Sequence, residues 1–271
     1  MINITKKEFV QLTAFIKTNY GIYLKAEKEA LVIGRLQNVL VQNEFVSFSQ
    51  YYDYLMADKT GTAVSTLLDK ITTNHTFFMR EADHFDYFRE NVLPYYSSRI
   101  TDRDLRVWCA GCSSGEEPYT LAMLIDEFFG NDKHNWDAKI LATDISNKVL
   151  DEAKSGLYRN EELKVLPAKW KLSYLNKLDA EKSVFNDKIK SEVIFRKFNL
   201  METTFPFRKK FHVIFCRNVM IYFDESTKVK LINKFYEFLE PGGFLFIGHS
   251  ESLNRDETNF KYIIPAVYRK L

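Results

Sequence analysis

The run Val213–Cys216 is apolar at every position and breaks at once into Arg217-Asn218, with a helical pattern starting near Asp224. Such a run reads as a buried strand. Polar residues at the carboxyl end of a buried strand sit where open α/β sheets bind ligands. A strand end serving only the fold more often carries Gly, Asp or Ser for a turn. Two further strand ends have the same character: Val107-Trp108-Cys109-Ala110 running into Gly111-Cys112-Ser113-Ser114-Gly115-Glu116-Glu117-Pro118, and Ile140-Leu141-Ala142-Thr143 running into Asp144. Three such ends constrain the chain towards an α/β sheet with a nucleotide-like ligand at its strand tips.

Composition removes several alternatives. At 46% hydrophobic, the 271 residues can bury a sizeable core, which excludes global disorder. The net charge of +2 and the absence of a basic cluster argue against a nucleic-acid partner. No apolar run reaches the length of a membrane span, so direct membrane insertion is not expected. The N-terminus lacks a signal-peptide pattern. Three cysteines, an odd number, make a disulfide framework implausible and favour a reducing cytoplasm.

Periodicity divides the chain. Residues 1–73 read as an all-α domain: Phe9, Leu12 and Ile16 follow a cap at Thr5, Val32, Leu36, Val39 and Leu40 mark a second helix, and two more follow. Residues 74–80 read as a linker. Residues 81–271 alternate helix and strand, which predicts a mostly parallel sheet with helices on both faces. The spacing predicts one helix through Phe85, Phe88 and Val92, and another from Asp224 that Pro241-Gly242-Gly243 stops. Residues 156–192 break the alternation and read as an insertion near the sheet edge.

The site candidates carry competing structural readings. Gly111 and Gly115 allow a ligand near the backbone at a helix N-terminus, or simply make a strand–helix turn. Glu116 and Glu117 suit the helix dipole, yet would repel a pyrophosphate, so a ligand with cationic character fits better. Asp144 can accept ribose hydroxyls or cap the next helix. Cys109 and Cys112 have redox-motif spacing but read better as buried structural cysteines. The five histidines show no ligand spacing and no metal is expected; His249 reads as a satisfied polar residue at a strand end. Lys25, Lys28 and Arg35 can share a helix face for an acidic helical partner, although residues 1–73 balance eight Lys/Arg against seven Asp/Glu.

Four motifs then carry a resemblance: Gly115-Glu116-Glu117-Pro118-Tyr119, Thr143-Asp144-Ile145-Ser146, Phe215–Phe223 and Gly248-His249-Ser250-Glu251. Together they closely resemble the chemotaxis receptor methyltransferases (CheR type), over nearly the whole chain. The resemblance implies a Rossmann-like S-adenosylmethionine methyltransferase domain, preceded by the all-α domain and carrying a small inserted β-subdomain at 156–192. It implies methyl transfer from S-adenosylmethionine to glutamate side chains of chemoreceptors, giving γ-methyl esters and S-adenosylhomocysteine. The enzyme would be cytoplasmic, recruited to receptor arrays at the membrane, with the receptors' cytoplasmic helical region as partner.

By the same resemblance, Asn74, Thr76 and Arg80 contact the cofactor and the reacting end of the site. Glu117 meets the cofactor's amino group and Asp144 holds the ribose, while Gly111 stays a cofactor-binding candidate on the glycine-loop reading above. Asn199 and Leu200 flank the adenine, Arg217 and Asn218 meet the cofactor backbone, and Tyr222 lies near the transferred methyl. In some members a glycine-containing loop of the β-subdomain binds a peptide at the receptor's C-terminus. This chain has no glycine between Leu157 and Lys197, so little affinity for such a tail is expected. Two other functions stay open on the sequence: methyl transfer to another substrate, and a cofactor-binding sensor or interaction module.

Overall fold

The apolar stripes of residues 5–73 become four helices in the computed structural model, which describes residues 2–254 and 256–271. They are α1 (Lys6–Tyr20), α2 (Glu29–Gln42), α3 (Phe48–Ala57) and α4 (Thr62–Ile71). Their buried faces are Phe9, Leu12 and Ile16; Val32, Leu36, Val39 and Leu40; Phe48, Tyr51 and Leu55; and Leu67, Leu68 and Ile71. Thr5 caps α1 in a reciprocal box with Glu8, satisfying two otherwise orphan N–H groups. The other carboxylate oxygen of Glu8 accepts from the N–H and Oγ of Ser49, tying α1 to the start of α3. Slight burial raises the Glu8 carboxyl, but these hydrogen bonds outweigh it and hold it at about 2.

This helical unit is not contiguous in sequence. Asn199–Met201 and Tyr222–Lys228 pack within it, while Asn74–Phe198, Glu202–Ile221 and Val229–Leu271 form the second unit. Asn199 Nδ2 donates to the Asn19 carbonyl at 2.8 Å, and the Tyr23 N–H donates to the Tyr222 carbonyl at 2.8 Å. Lys17 pairs with Asp224 at 2.6 Å, and Tyr222 Oη donates to the Thr73 carbonyl at 3.1 Å. Gly21 ends α1 in the left-handed region, where a Cβ would meet the Met201 sulfur at 2.6 Å.

The second unit holds α5 (Ala82–Tyr87), α6 (Leu93–Ser97), β1 (Val107–Ala110), α7 (Glu116–Phe129), β2 (Ile140–Asp144), α8 (Asn147–Ser155), β3 (Leu157–Arg159), α9 (Ala168–Tyr174), β4 (Leu175–Lys177), β5 (Lys182–Phe185), α10 (Asp187–Lys190), β6 (Val193–Lys197), β7 (Phe211–Cys216), most of α11 (Glu225–Phe238), β8 (Leu239–Ile247), β9 (Lys261–Ile264) and β10 (Val267–Arg269). The main sheet has the order β6-β2-β1-β7-β8-β10-β9. Its first five strands are parallel, and β10 and β9 close it antiparallel. Every residue of β1 and β7 is buried, as the apolar runs require of central parallel strands. The order reverses between β1 and β7, which makes their carboxyl ends the topological switch point.

Two expectations need correcting. The helix through Phe85, Phe88 and Val92 is not uniform: a π-turn at Phe88–Val92 separates α5 from α6. Pro94, at the first turn of α6, has no N–H to donate back, so a regular ladder cannot continue through it. Pro241-Gly242-Gly243 does not stop α11, which ends at Phe238. These residues instead form a bulge in β8, because Leu239 pairs with Phe211 and Phe244 with Val213. The insertion at 156–192 contains a separate antiparallel sheet of order β3-β5-β4, and β6, at the edge of the main sheet, follows it directly. The β4–β5 hairpin is tight, its turn pinned by Asp179 accepting from the N–H groups of Glu181 and Lys182.

Candidate functional site

The switch point places two loops side by side, Gly111–Gly115 after β1 and Arg217–Ile221 after β7. Gly111 has φ +96°, and a Cβ there would lie 2.4 Å from Val219 Cγ2. The missing side chain therefore lets the two loops approach. At Gly115, φ +100°, a Cβ would meet Tyr158 Oη at 2.8 Å, so this glycine serves packing beneath α7.

Arg217 is the centre of the charge arrangement. Its side chain is 2% exposed. Nη1 donates to Glu117 Oε2 at 3.1 Å and Nη2 to Glu81 Oε2 at 3.0 Å. Nη2 also donates to the Arg80 carbonyl. Its Nε is buried without a hydrogen-bond partner among the described residues, a donor left for some other group. Glu81 accepts a further bond from Asn218 Nδ2 at 3.1 Å. Burial raises the Glu81 carboxyl, but Asn218 and Arg217 outweigh it and leave it below the ordinary range. Burial pushes Glu117 upward, opposed chiefly by Arg217. Two carboxylates thus share one guanidinium, and with both ionised the cluster carries one excess negative charge.

Asp144 ends β2. Its Oδ2 accepts from the Ser113 N–H at 2.9 Å and its Oδ1 from the Ser146 N–H at 3.0 Å. The cap of α8 is Ser146, whose side chain accepts from Val149, so the alternative reading of Asp144 as that cap is not what is found. Asp144 instead organises the Gly111–Gly115 loop and its own turn. Asn74 lies against the same loop, its carbonyl accepting from Ser113 Oγ at 3.3 Å. Thr76 is half-buried nearby in sequence, and Arg80 Nη1 donates to the His75 carbonyl at 2.8 Å.

Asn199, Leu200 and Tyr222 belong to the helical unit with the bonds given above, and Leu200 is buried there. Lys25, Lys28 and Arg35 do not share a helix face. Lys25 precedes a short 3-10 turn (Ala26–Lys28) that Lys28 ends, and both are exposed, while Arg35 alone lies on α2. Arg35 donates to the carbonyls of Ile71 and Thr72 and to Thr73 Oγ1. Helix ends leave carbonyls unpaired, and α4 draws the guanidinium to its own.

Sequence reasoning missed Glu81, His84 and Glu251 as parts of this arrangement. Glu81 has φ +55°, uncommon for a non-glycine residue, and its partners are more than 130 residues distant. His84 and His249, which show no ligand spacing, have ring centroids 4.6 Å apart. With Glu81 they bring three ligand atoms within 4.8 Å of one another. The Glu81 carboxylate also accepts from Arg217 and Asn218. Burial, then Arg217, pushes His84 down to about 4, so it is neutral at pH 7. Cys109, Cys112 and Cys216 are free thiols, fully buried, and burial pushes all three well above the ordinary range. They are not poised for redox chemistry.

Comparison with known proteins finds relatives along nearly the whole chain. Residues 7–72 match the family model for the CheR methyltransferase all-alpha domain, and residues 74–268 match that for the CheR methyltransferase SAM binding domain. The chain is 44% identical to a chemotaxis protein methyltransferase of Borreliella burgdorferi, over 99% of this chain and 96% of that one. It is 33% identical to the chemotaxis protein methyltransferase of Escherichia coli, over 96% and 89% of the two chains. No helix among the described residues is long and apolar enough to cross a membrane.

Proposed function

The chain belongs to the CheR methyltransferase family, and on that premise we propose how its residues carry out methyl transfer. It is an S-adenosylmethionine-dependent enzyme of chemotaxis whose substrates are chemoreceptors. The reaction forms γ-methyl esters on glutamates of the receptors' cytoplasmic helical region. The observation that carries the site assignment is the pair of acids, Glu117 and Glu81, that share Arg217 at the switch point. A pyrophosphate would be repelled there, whereas a ligand bearing an amino group and a sulfonium is drawn in.

The residues fit such a ligand. Glu117 meets the amino group, and the free Nε of Arg217 offers a donor to a carboxylate. Asp144 accepts from ribose hydroxyls, Gly111 leaves the cofactor access to the loop backbone, and Asn199 and Leu200 flank the adenine. Asn218 meets the cofactor backbone, while Asn74, Thr76, Arg80 and Tyr222 attend the reacting end. When bound, S-adenosylmethionine supplies a methyl carbon already activated by its sulfonium leaving group.

The acceptor needs no general base. A glutamate side chain with pKa about 4.3 is roughly 99% ionised at pH 7 and is itself the nucleophile. The work left to the protein is to orient the carboxylate and exclude water, and such positioning supplies roughly 7–11 kcal/mol. Arg80 orients the acceptor through its planar donor fork. The enzyme works in the cytoplasm at receptor arrays without inserting into the membrane. The glycine-free β4–β5 hairpin gives little affinity for a receptor tail peptide.

The test uses methyl-labelled S-adenosylmethionine and receptor-bearing membranes, followed by base. Glutamyl esters release volatile methanol. Label retained after base points to methyl transfer onto nitrogen, and no transfer points to a sensor.

A further inference from the structure

We propose that Glu251 is a positioning residue that holds the Arg217–Ile221 loop, and through it Asn218, in the geometry that binds the cofactor; this rests on the functional reading above. The carboxylate of Glu251 sits at the end of the turn that follows β8. Its Oε2 accepts from the backbone N–H of Asn218 at 3.0 Å and of Gly248 at 2.6 Å, and its Oε1 from that of Ile221 at 3.1 Å. The turn itself closes with the Glu251 N–H donating to the Gly248 carbonyl at 2.9 Å. One side chain therefore ties the exit of β8 to both ends of the segment Asn218–Ile221, which follows β7.

The loop needs such a clamp. Asn218 has φ +59°, a conformation L side chains adopt at a cost. A strained backbone persists only when its surroundings over-determine it. Here the surroundings are two acids with divided labour: Glu81 fixes the Arg217 and Asn218 side chains, and Glu251 fixes the backbone between them and Ile221. Burial raises the Glu251 carboxyl, opposed by the N–H groups of Gly248, Asn218, Met220 and Ile221, so the anion is the form that the loop stabilises.

Gly248 supplies an independent sign of how closely the two strand exits are fitted. A Cβ at this position would lie 2.5 Å from Asn218 Nδ2 and 2.8 Å from its backbone nitrogen. Any side chain there displaces Asn218 directly. The Gly248-His249-Ser250-Glu251 motif thus has two structural demands, one for absent bulk and one for a carboxylate, both directed at Asn218.

The substitution Glu251→Gln keeps the volume and one acceptor but turns an N–H donor towards the loop's own N–H groups. Binding of S-adenosylhomocysteine to the full chain is measured by calorimetry, with the folded state checked by thermal melting. We expect at least a tenfold loss of affinity for Glu251→Gln. In an Asn218→Ala background the same change should cost less than threefold, because the side chain being positioned has gone. Gly248→Ala, with Glu251 intact, should lose affinity to a similar degree and keeps the test available if Glu251→Gln does not fold. Normal affinity in both folded variants, or losses that simply add to that of Asn218→Ala, would overturn the inference and leave the functional reading standing. A wild-type chain that binds no S-adenosylhomocysteine would remove the reading itself, and this inference with it.

Discussion

Asp144 sits at the end of β2, where its carboxylate accepts from the backbone N–H groups of Ser113 and Ser146. If both ribose hydroxyls bind there, Asp144→Ala removes two charge-assisted bonds of roughly 1.5–3 kcal/mol each. Affinity for S-adenosylhomocysteine should then fall at least ~100-fold, and calorimetry giving near-normal binding would leave Asp144 only its turn. Arg80→Lys keeps a charge but loses the fork. It should slow transfer by well over ~10-fold at saturating cofactor while weakening cofactor binding less. In steady-state assays the wild-type rate should stay flat from about pH 6.5 to 8.5, since the nucleophile is already ionised. A sharp rise near pH 7 would contradict the base-free reaction.

Helix ends and strand exits separate what was legible in the sequence from what was not. The strand Val213–Cys216 and the cap at Thr5 are local signals, read from an apolar run and from a Thr placed just before a helical repeat. Arg35 is different. Its position on α2 is legible, but its partners are carbonyls of α4, and carbonyls leave no trace in a sequence. Truncating it as Arg35→Ala should leave those carbonyls short of donors and cost about 1–2 kcal/mol in urea unfolding. An unchanged midpoint would show that water replaces the guanidinium at no cost. Pro241-Gly242-Gly243 looked like a helix stop because its composition is that of a turn; only pairing with β7 reveals a bulge. Glu81 escaped notice because it lies in no periodic segment and acts on residues far along the chain. Of the candidate site, the sequence therefore displayed the strand-end residues, and the acids that hold them became visible only once the chain had closed on itself.

Stability of the whole protein should carry the mark of Glu116. It is 7% exposed at the first turn of α7, and its carboxylate accepts from Ser114 Oγ. Burial pushes its carboxyl up to about 7. An acid whose folded pKa exceeds its unfolded value holds its proton in the folded state while the unfolded chain has released it. Stability therefore falls as pH rises from about 4.5 to 7, by up to roughly 3 kcal/mol, and is level above that. His84 and His212, both pushed down to about 4, act in the opposite sense: their contribution is whole above about 6.5 and is lost as pH falls. The two effects separate by difference. Glu116→Gln should gain stability relative to wild type from pH 5 to 7 in denaturant titrations, and a difference that does not vary with pH would show that Glu116 titrates normally.

The interrupted make-up of the helical unit bears on how far this protein is modular. Asn199–Met201 and Tyr222–Lys228 are short, lie far from residue 73 in sequence, and nevertheless supply Asp224 to Lys17 and Met201 to the space beside Gly21. A chimera that takes a relative's first 73 residues and grafts them onto residues 74–271 would import helices whose complementary segments stayed behind in the recipient. Recombination at the obvious junction is thus penalised, and lineages that exchange the helical unit should do so with three stretches of sequence travelling together.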